Sequence, residues 1–257
     1  MEKQLKDILP IMAIEQDLIV SKQGEVTVVF RASLPEAFTM SDEDYELLHQ
    51  AWIKAIRVLP KNSVMHKQDW FIKCAVKSPH NEGKQSFLQE SSNRYFEGRP
   101  FLDHNCYIMI TRMPDGRKPS NSLFSNLIRP TLVPHDLLNP TAIRTFLDQV
   151  SQFRRLLEDT KLISLVRLTA SDLQSQPAKV GLIEQYCYLN DRQDEYLIKD
   201  IGFAEEIRIG RQEVAIYTLG DVEQLPAHCG SRLTFDAYST DKTKFPVSFA
   251  ASLGLLM

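Results

Sequence analysis

Phosphate chemistry by a P-loop needs glycine at the first and sixth positions of its loop, then lysine, then Ser or Thr. The backbone amides wrap the phosphates and the lysine reaches them. Of the ten glycines only Gly83 precedes a lysine, and Ser78 and Gln85 stand where the first glycine and the hydroxyl residue belong. No G-x-G-x-x-G occurs either, so no nucleotide or other cofactor is expected and the chain by itself reads as no enzyme. The histidines His49, His66, His80, His104, His135 and His228 make no H-E-x-x-H, and His104 near Cys106 or His228 beside Cys229 supplies two neighbouring ligands where a tetrahedral site needs four. No metal site is expected. Ser239-Thr-Asp-Lys242 matches S-x-x-K by letters alone, without the partner motifs that give it meaning. The carboxylates of Asp42 to Glu46 suit a helix N-terminus, and those of Asp191 to Glu195 a solvated loop.

One pattern is left for binding. Lys67, Trp70, Phe71 and Lys73, and again Arg94, Tyr95, Phe96, Arg99 and Phe101, interleave basic and aromatic residues as single-strand binders do. Lys67, Trp70, Lys73, Arg94 and Arg99 are therefore the candidate nucleic-acid contacts. Alternating faces of a strand produce the same letters. The chain as a whole is not built for phosphate backbones: 30 basic against 33 acidic residues leave a net charge of -3, so any such contact has to be local.

The 257 residues suffice for one large domain or two modest ones, and 43% hydrophobic with 25% charged residues is ordinary globular composition. Glu2, Asp7 and Pro10 arrive before any long apolar run, which fits neither a signal peptide nor a membrane helix, so a cytoplasmic protein is expected. Cys74, Cys106, Cys187 and Cys229 are scattered without a C-x-x-C pair, as expected of reduced thiols.

These residues need elements to hold them. Apolar positions Ile14, Leu18 and Val20, then Lys22-Gln23-Gly24-Glu25, then Val26, Val28 and Phe30, predict a β-hairpin turning at glycine. Ser41 opens a helix with an acidic first turn, and Tyr45, Leu48, Trp52, Ala55, Ile56 and Leu59 recur at helical spacing up to Pro60. A strand at 64–76, a polar helix at 85–96 and a strand from Cys106 to Met113 follow, giving the order ββαβαβ. Prolines 114, 119, 130, 134 and 140 mark a connection over 114–140 between a first half, 1–113, and a second, 141–257, which stand apart or compose one domain. Asn139-Pro140 opens a second strong helix with Ile143, Phe146, Leu147, Val150, Phe153 and Leu157 on one face. Beyond it come a strand at 162–168, a helix from Ser171 broken by Pro177 and resumed from Val180 to Leu189, a hairpin at 204–209 and 213–219 turning at Gly210, and a last strand at 245–249. The class is α+β with a mixed or mostly antiparallel sheet.

Long ordered strings carry a resemblance. LKDILPIMAIEQDLIVSKQGEVTVVF at 5–30, SDEDYELLHQAWIKAIRVLP at 41–60 and SVMHKQDWF at 63–71 resemble the start of the TraG-type ATPases of conjugative transposons. RPFLDHNCYIMITR, RKPSNSLFSNL, GLIEQYC and LPAHCGSRLTFDAYSTDKTKFPVSFAASLGLLM extend the likeness along the chain. That family is similar to the VirB-type ATPases of type IV secretion, in which an α+β region precedes a RecA-like motor bearing the P-loop. The resemblance implies a non-catalytic domain, lacking that motor, that docks the ATPase to other conjugation and secretion components at the cytoplasmic face of the inner membrane, or to neighbouring subunits by self-association. A single-stranded DNA-binding module of the same apparatus is the alternative. The apolar end Ser252-Leu-Gly-Leu-Leu-Met257, without charge or cap, is read as a cut ahead of the motor. The 114–140 connection and the 85–96 helix are the candidate contact surfaces.

Overall fold

The computed structural model describes residues 9–77, 86–114, 140–177, 179–189, 201–203, 205–209, 212–218 and 248–257. The chain is α+β, and it opens as an antiparallel meander: β1 (Ile11–Glu15), β2 (Leu18–Ser21) and β3 (Val26–Ser33). The first apolar run folds back on itself at Gln16-Asp17, so the hairpin gains a strand. Both turn residues take positive φ, 52° and 61°, without the Asn or Gly that usually advertises such a turn. The second turn is the glycine turn, with Gly24 at φ 83°.

Helix α1 (Asp42–Val58) begins at Ser41, whose hydroxyl accepts from the Asp44 N–H while Asp44 returns a bond to the Ser41 N–H. This reciprocal capping box satisfies two amides that the first helical turn would leave bare. Strand β4 (Ser63–Ala75), helix α2 (Phe87–Phe96) and strand β5 (Pro100–Arg112) follow. The fifth strand starts six residues earlier than Cys106. Helix α3 runs Pro140–Glu158, β6 Ser164–Arg167, and the next two helices, α4 (Ala170–Leu173) and α5 (Leu182–Tyr188), are short pieces on either side of Pro177. Strands β7 (Ile201–Phe203), β8 (Ile207–Ile209) and β9 (Gln212–Val214) form a small antiparallel sheet, with Arg208 bonded to Glu206 and Glu213. The expected hairpin thus has a third strand, and Gly210 lies outside the described residues. The last strand, β10, is Phe249–Leu256, further along than the 245–249 expected, and the apolar tail is itself the strand. Residues 115–139, most of the proline-rich connection, lie outside the description, as do Asn139 and the 190–195 loop.

The main sheet has the order β1-β2-β3-β5-β4-β10, with β6 on the far end of β3, beyond β2. The chain divides into two compact units interleaved in sequence: 1–69, 105–173 and 251–257 make the first, 70–104 and 174–250 the second. In the first unit, α1 and α3 lie against one face of the sheet. Phe146, Val150, Phe153 and Leu157 of α3 meet Ala51 and Ala55 of α1 and the sheet residues Val28, Phe30, Ile108, Ile110 and Leu165. Trp52 packs edge-on against Phe153 at 6.1 Å. Each large apolar side chain removed from water here contributes about 2 kcal/mol. The Gln16-Asp17 turn is tied to the corner after β6: Arg167 donates to the Gln16 carbonyl, and the Asp17 carboxylate accepts from the Ala170 N–H at 2.7 Å. The second unit keeps its own buried residues, among them Trp70, Ile72, Leu102, Val180 and Leu182. No helix among the described residues is long and apolar enough to cross a membrane.

Candidate interaction surface

The five basic and aromatic candidates do not form one surface. Trp70 is fully buried, tilted against Tyr186 with ring centroids 5.5 Å apart, so its faces are closed to a base. Arg99 is 8% exposed. Its Nε donates to the Tyr95 carbonyl and its guanidinium sits 3.7 Å from the Tyr95 ring centroid. It serves the C-terminal end of α2, whose last carbonyls need donors, next to Gly98 in the left-handed region at φ 70°. Both of these side chains are engaged inside the protein. Lys67 is half-buried and paired with Asp69. Lys73 is exposed, and Arg94 is exposed 3.9 Å from Glu90, a pairing worth under about 1 kcal/mol.

What the strands bring together instead is a row of rings in the second unit. Phe71 on β4 stacks on His104 of β5 at 4.7 Å and 12°, and on Phe249 of β10 at 4.6 Å and 23°. One register explains it. Asn62 faces Met113 and Val76 faces Arg99 across β4 and β5, which puts Phe71 opposite His104. Ser63 faces Met257 and His66 faces Gly254 across β4 and β10, which puts Phe71 opposite Phe249. Directly opposite residues share a face of the sheet. The parity was available in the sequence: Phe71 alternates with Lys73 and Lys67, whereas Trp70 belongs to the other face.

Helix α2 buries none of its residues, and Phe87, Leu88, Tyr95 and Phe96 are all exposed. At 100° per residue Leu88 and Tyr95 fall on one side, flanked by Ser91 and Ser92, with Gln89, Glu90, Asn93 and Arg94 opposite. The expected polar helix is amphipathic. Its apolar side faces solvent.

Cys106 is buried in the core, and burial first, with Asp69 adding and Lys67 opposing, pushes its thiol up to about 12. At neutral pH such a group is an inert thiol, and it is no nucleophile. Cys74 is half-buried and, like Cys106, in no disulfide. Among the described residues no group of three His, Cys, Asp or Glu side chains is placed to hold a metal.

The family described as "Domain of unknown function, B. Theta Gene description (DUF3875)" matches residues 1–50. That stretch holds the three-strand meander and the first half of α1. No curated protein matches the chain.

Proposed function

We propose that this chain is the non-catalytic N-terminal domain of a conjugative DNA-transfer ATPase of the type IV secretion group, docking the motor to secretion components or to neighbouring subunits. The observation that carries the reading is the run of long ordered strings, from 5–30 to 225–257, that resembles the TraG-type ATPases. The geometry is in keeping with it: helix α2 of the second unit turns its apolar side to solvent. Exposed apolar residues gathered on one side of a helix suit protein contact. The single-stranded DNA alternative loses its best stacking residue and one of its arginines to the interior.

The test has two readouts. The gene, read past codon 257, is expected to continue in frame into a P-loop, with ATP hydrolysis by the longer protein and none by residues 1–257. A stop codon at 258 without a motor downstream overturns the proposal. In the longer protein, Phe87→Lys with Leu88→Lys is expected to lower DNA transfer at least tenfold with ATP hydrolysis intact, and unchanged transfer removes α2 as the docking element.

A further inference from the structure

Among the described residues β10 is an outer strand of the sheet, with no strand beyond it. An open edge is a row of unpaired N–H and C=O groups, and proteins that leave one open usually spoil it with a charge, a proline or a bulge. From Phe249 to Leu256 there is neither charge nor proline: the strand reads FAASLGLL, and the next residue is Met257. Leu253 and Leu256 are 61% and 74% exposed. The Met257 N–H donates to the Ser63 carbonyl, so alternation along an antiparallel strand turns the N–H groups of Ala250, Ser252, Gly254 and Leu256 away from β4.

We propose that β10 pairs with β10 of a second copy of this chain, antiparallel, about a two-fold axis perpendicular to the sheet. The occupant follows from complementarity. An uncharged strand meets its own copy with no like-charge repulsion, and the symmetric pair matches Ala251 and Leu253 on one face with Ala250 and Gly254 on the other when the axis passes through Ser252. Another way for two copies to extend the sheet is β10 against β1, which is head-to-tail and open-ended. That route is spoiled by β1 itself, five residues long, preceded by Pro10, bulged at Met12 and ending in exposed Glu15. Two copies joined by β10 close on each other and stop. The proposal gives the neighbouring-subunit contact a specific strand, yet it stands on the edge alone, so its failure leaves the motor-frame test above untouched.

Sedimentation equilibrium of residues 1–257 over a wide concentration range tests it. A reversible monomer–dimer equilibrium is expected. Ser252→Pro removes only an outward-facing N–H, and Ser252→Lys puts a charge at the axis, where the two copies would repel. Each is expected to raise the dimer Kd at least tenfold with the far-ultraviolet circular dichroism unchanged. Tyr45→Lys, on an exposed position of α1, is expected to leave the Kd where it was. A monomer at every concentration, open-ended assembly, or a dimer that folded Ser252→Lys leaves intact overturns the proposal. Should Ser252→Pro not fold, the lysine variant decides.

Discussion

Among the described strands of the main sheet, the outer strands β1 and β10 are protected in opposite ways. At β1 the strand is short, and its pairing with β2 shifts register between Ile11 and Ala13, so that Met12 bulges. Pro10 precedes it and Glu15 closes it. At β10 eight residues run without a charge or a proline, and their apolar side chains face solvent. Each edge is nevertheless pinned to the interior by one local device. At β1 it is the Asp17 carboxylate on the Ala170 amide, and at β10 it is the Phe71 ring under Phe249. The difference therefore lies in what the outer rim offers. A strand held firmly but left bare is suited to receive another strand, and a strand held firmly and spoiled is suited to end a sheet.

Removing the pins tests the common part of this comparison. The largest effect is expected from Phe71→Ala, which takes away the middle ring of three. Phe71 is half-buried, so the loss of packing is placed at about 2 kcal/mol, below that of a fully buried phenylalanine. Hydrogen exchange is expected to show amides of 249–256 losing protection while those of β1 and β2 keep theirs. Equal loss at both edges would mean the ring row supports the whole sheet and pins neither edge in particular. Asp17→Ala acts at the other edge. It removes one charge-assisted bond at 2.7 Å and leaves alanine at φ 61°, a loss of about 1–2 kcal/mol read from thermal or urea unfolding. Here β1 and β2 are expected to lose protection while β10 keeps it.

The elements whose periodicity and capping agree are legible in the sequence. Ser41 and the Asp44 three residues on, followed by a 3.6-residue apolar stripe, define α1, and Phe146, Val150, Phe153 and Leu157 do the same for α3. The Gln16-Asp17 turn was hidden because neither residue is Gly or Asn. The chain adopts positive φ there under the pull of a tertiary bond to residue 170, which no local pattern announces. The interior positions of Trp70 and Arg99 were hidden for a related reason. Basic and aromatic letters alternate on any half-buried strand, and only the pairing of β4 with β5 and β10 tells which parity goes inward. It sends Trp70 and Ile72 inside and leaves Phe71 and Lys73 on the other face. Arg99 is a similar case, since its role at the end of α2 depends on Tyr95 one turn back.

The smallest expected effect sharpens the comparison most. If the bulge and charge of β1 are what keep that edge closed, then removing them should create an adhesive edge where there was none. The background is Ser252→Lys, in which pairing through β10 is suppressed. Deleting Met12 restores an even register with β2, and Glu15→Thr replaces the charge with a residue that strands accept. Weak self-association is expected to return, at a Kd well above that of the β10 pair, because β1 offers five residues where β10 offers eight. Sedimentation equilibrium reads it directly. Restoring Glu15 alone should abolish most of it, since two like charges brought to one edge cost more than a single cross-strand contact of about 0.2–1 kcal/mol returns. Were the unspoiled β1 to remain monomeric, the bareness of an edge would not by itself be enough for pairing, and the apolar side chains of β10, with Leu253 and Leu256 outermost, would be the feature that distinguishes the two rims.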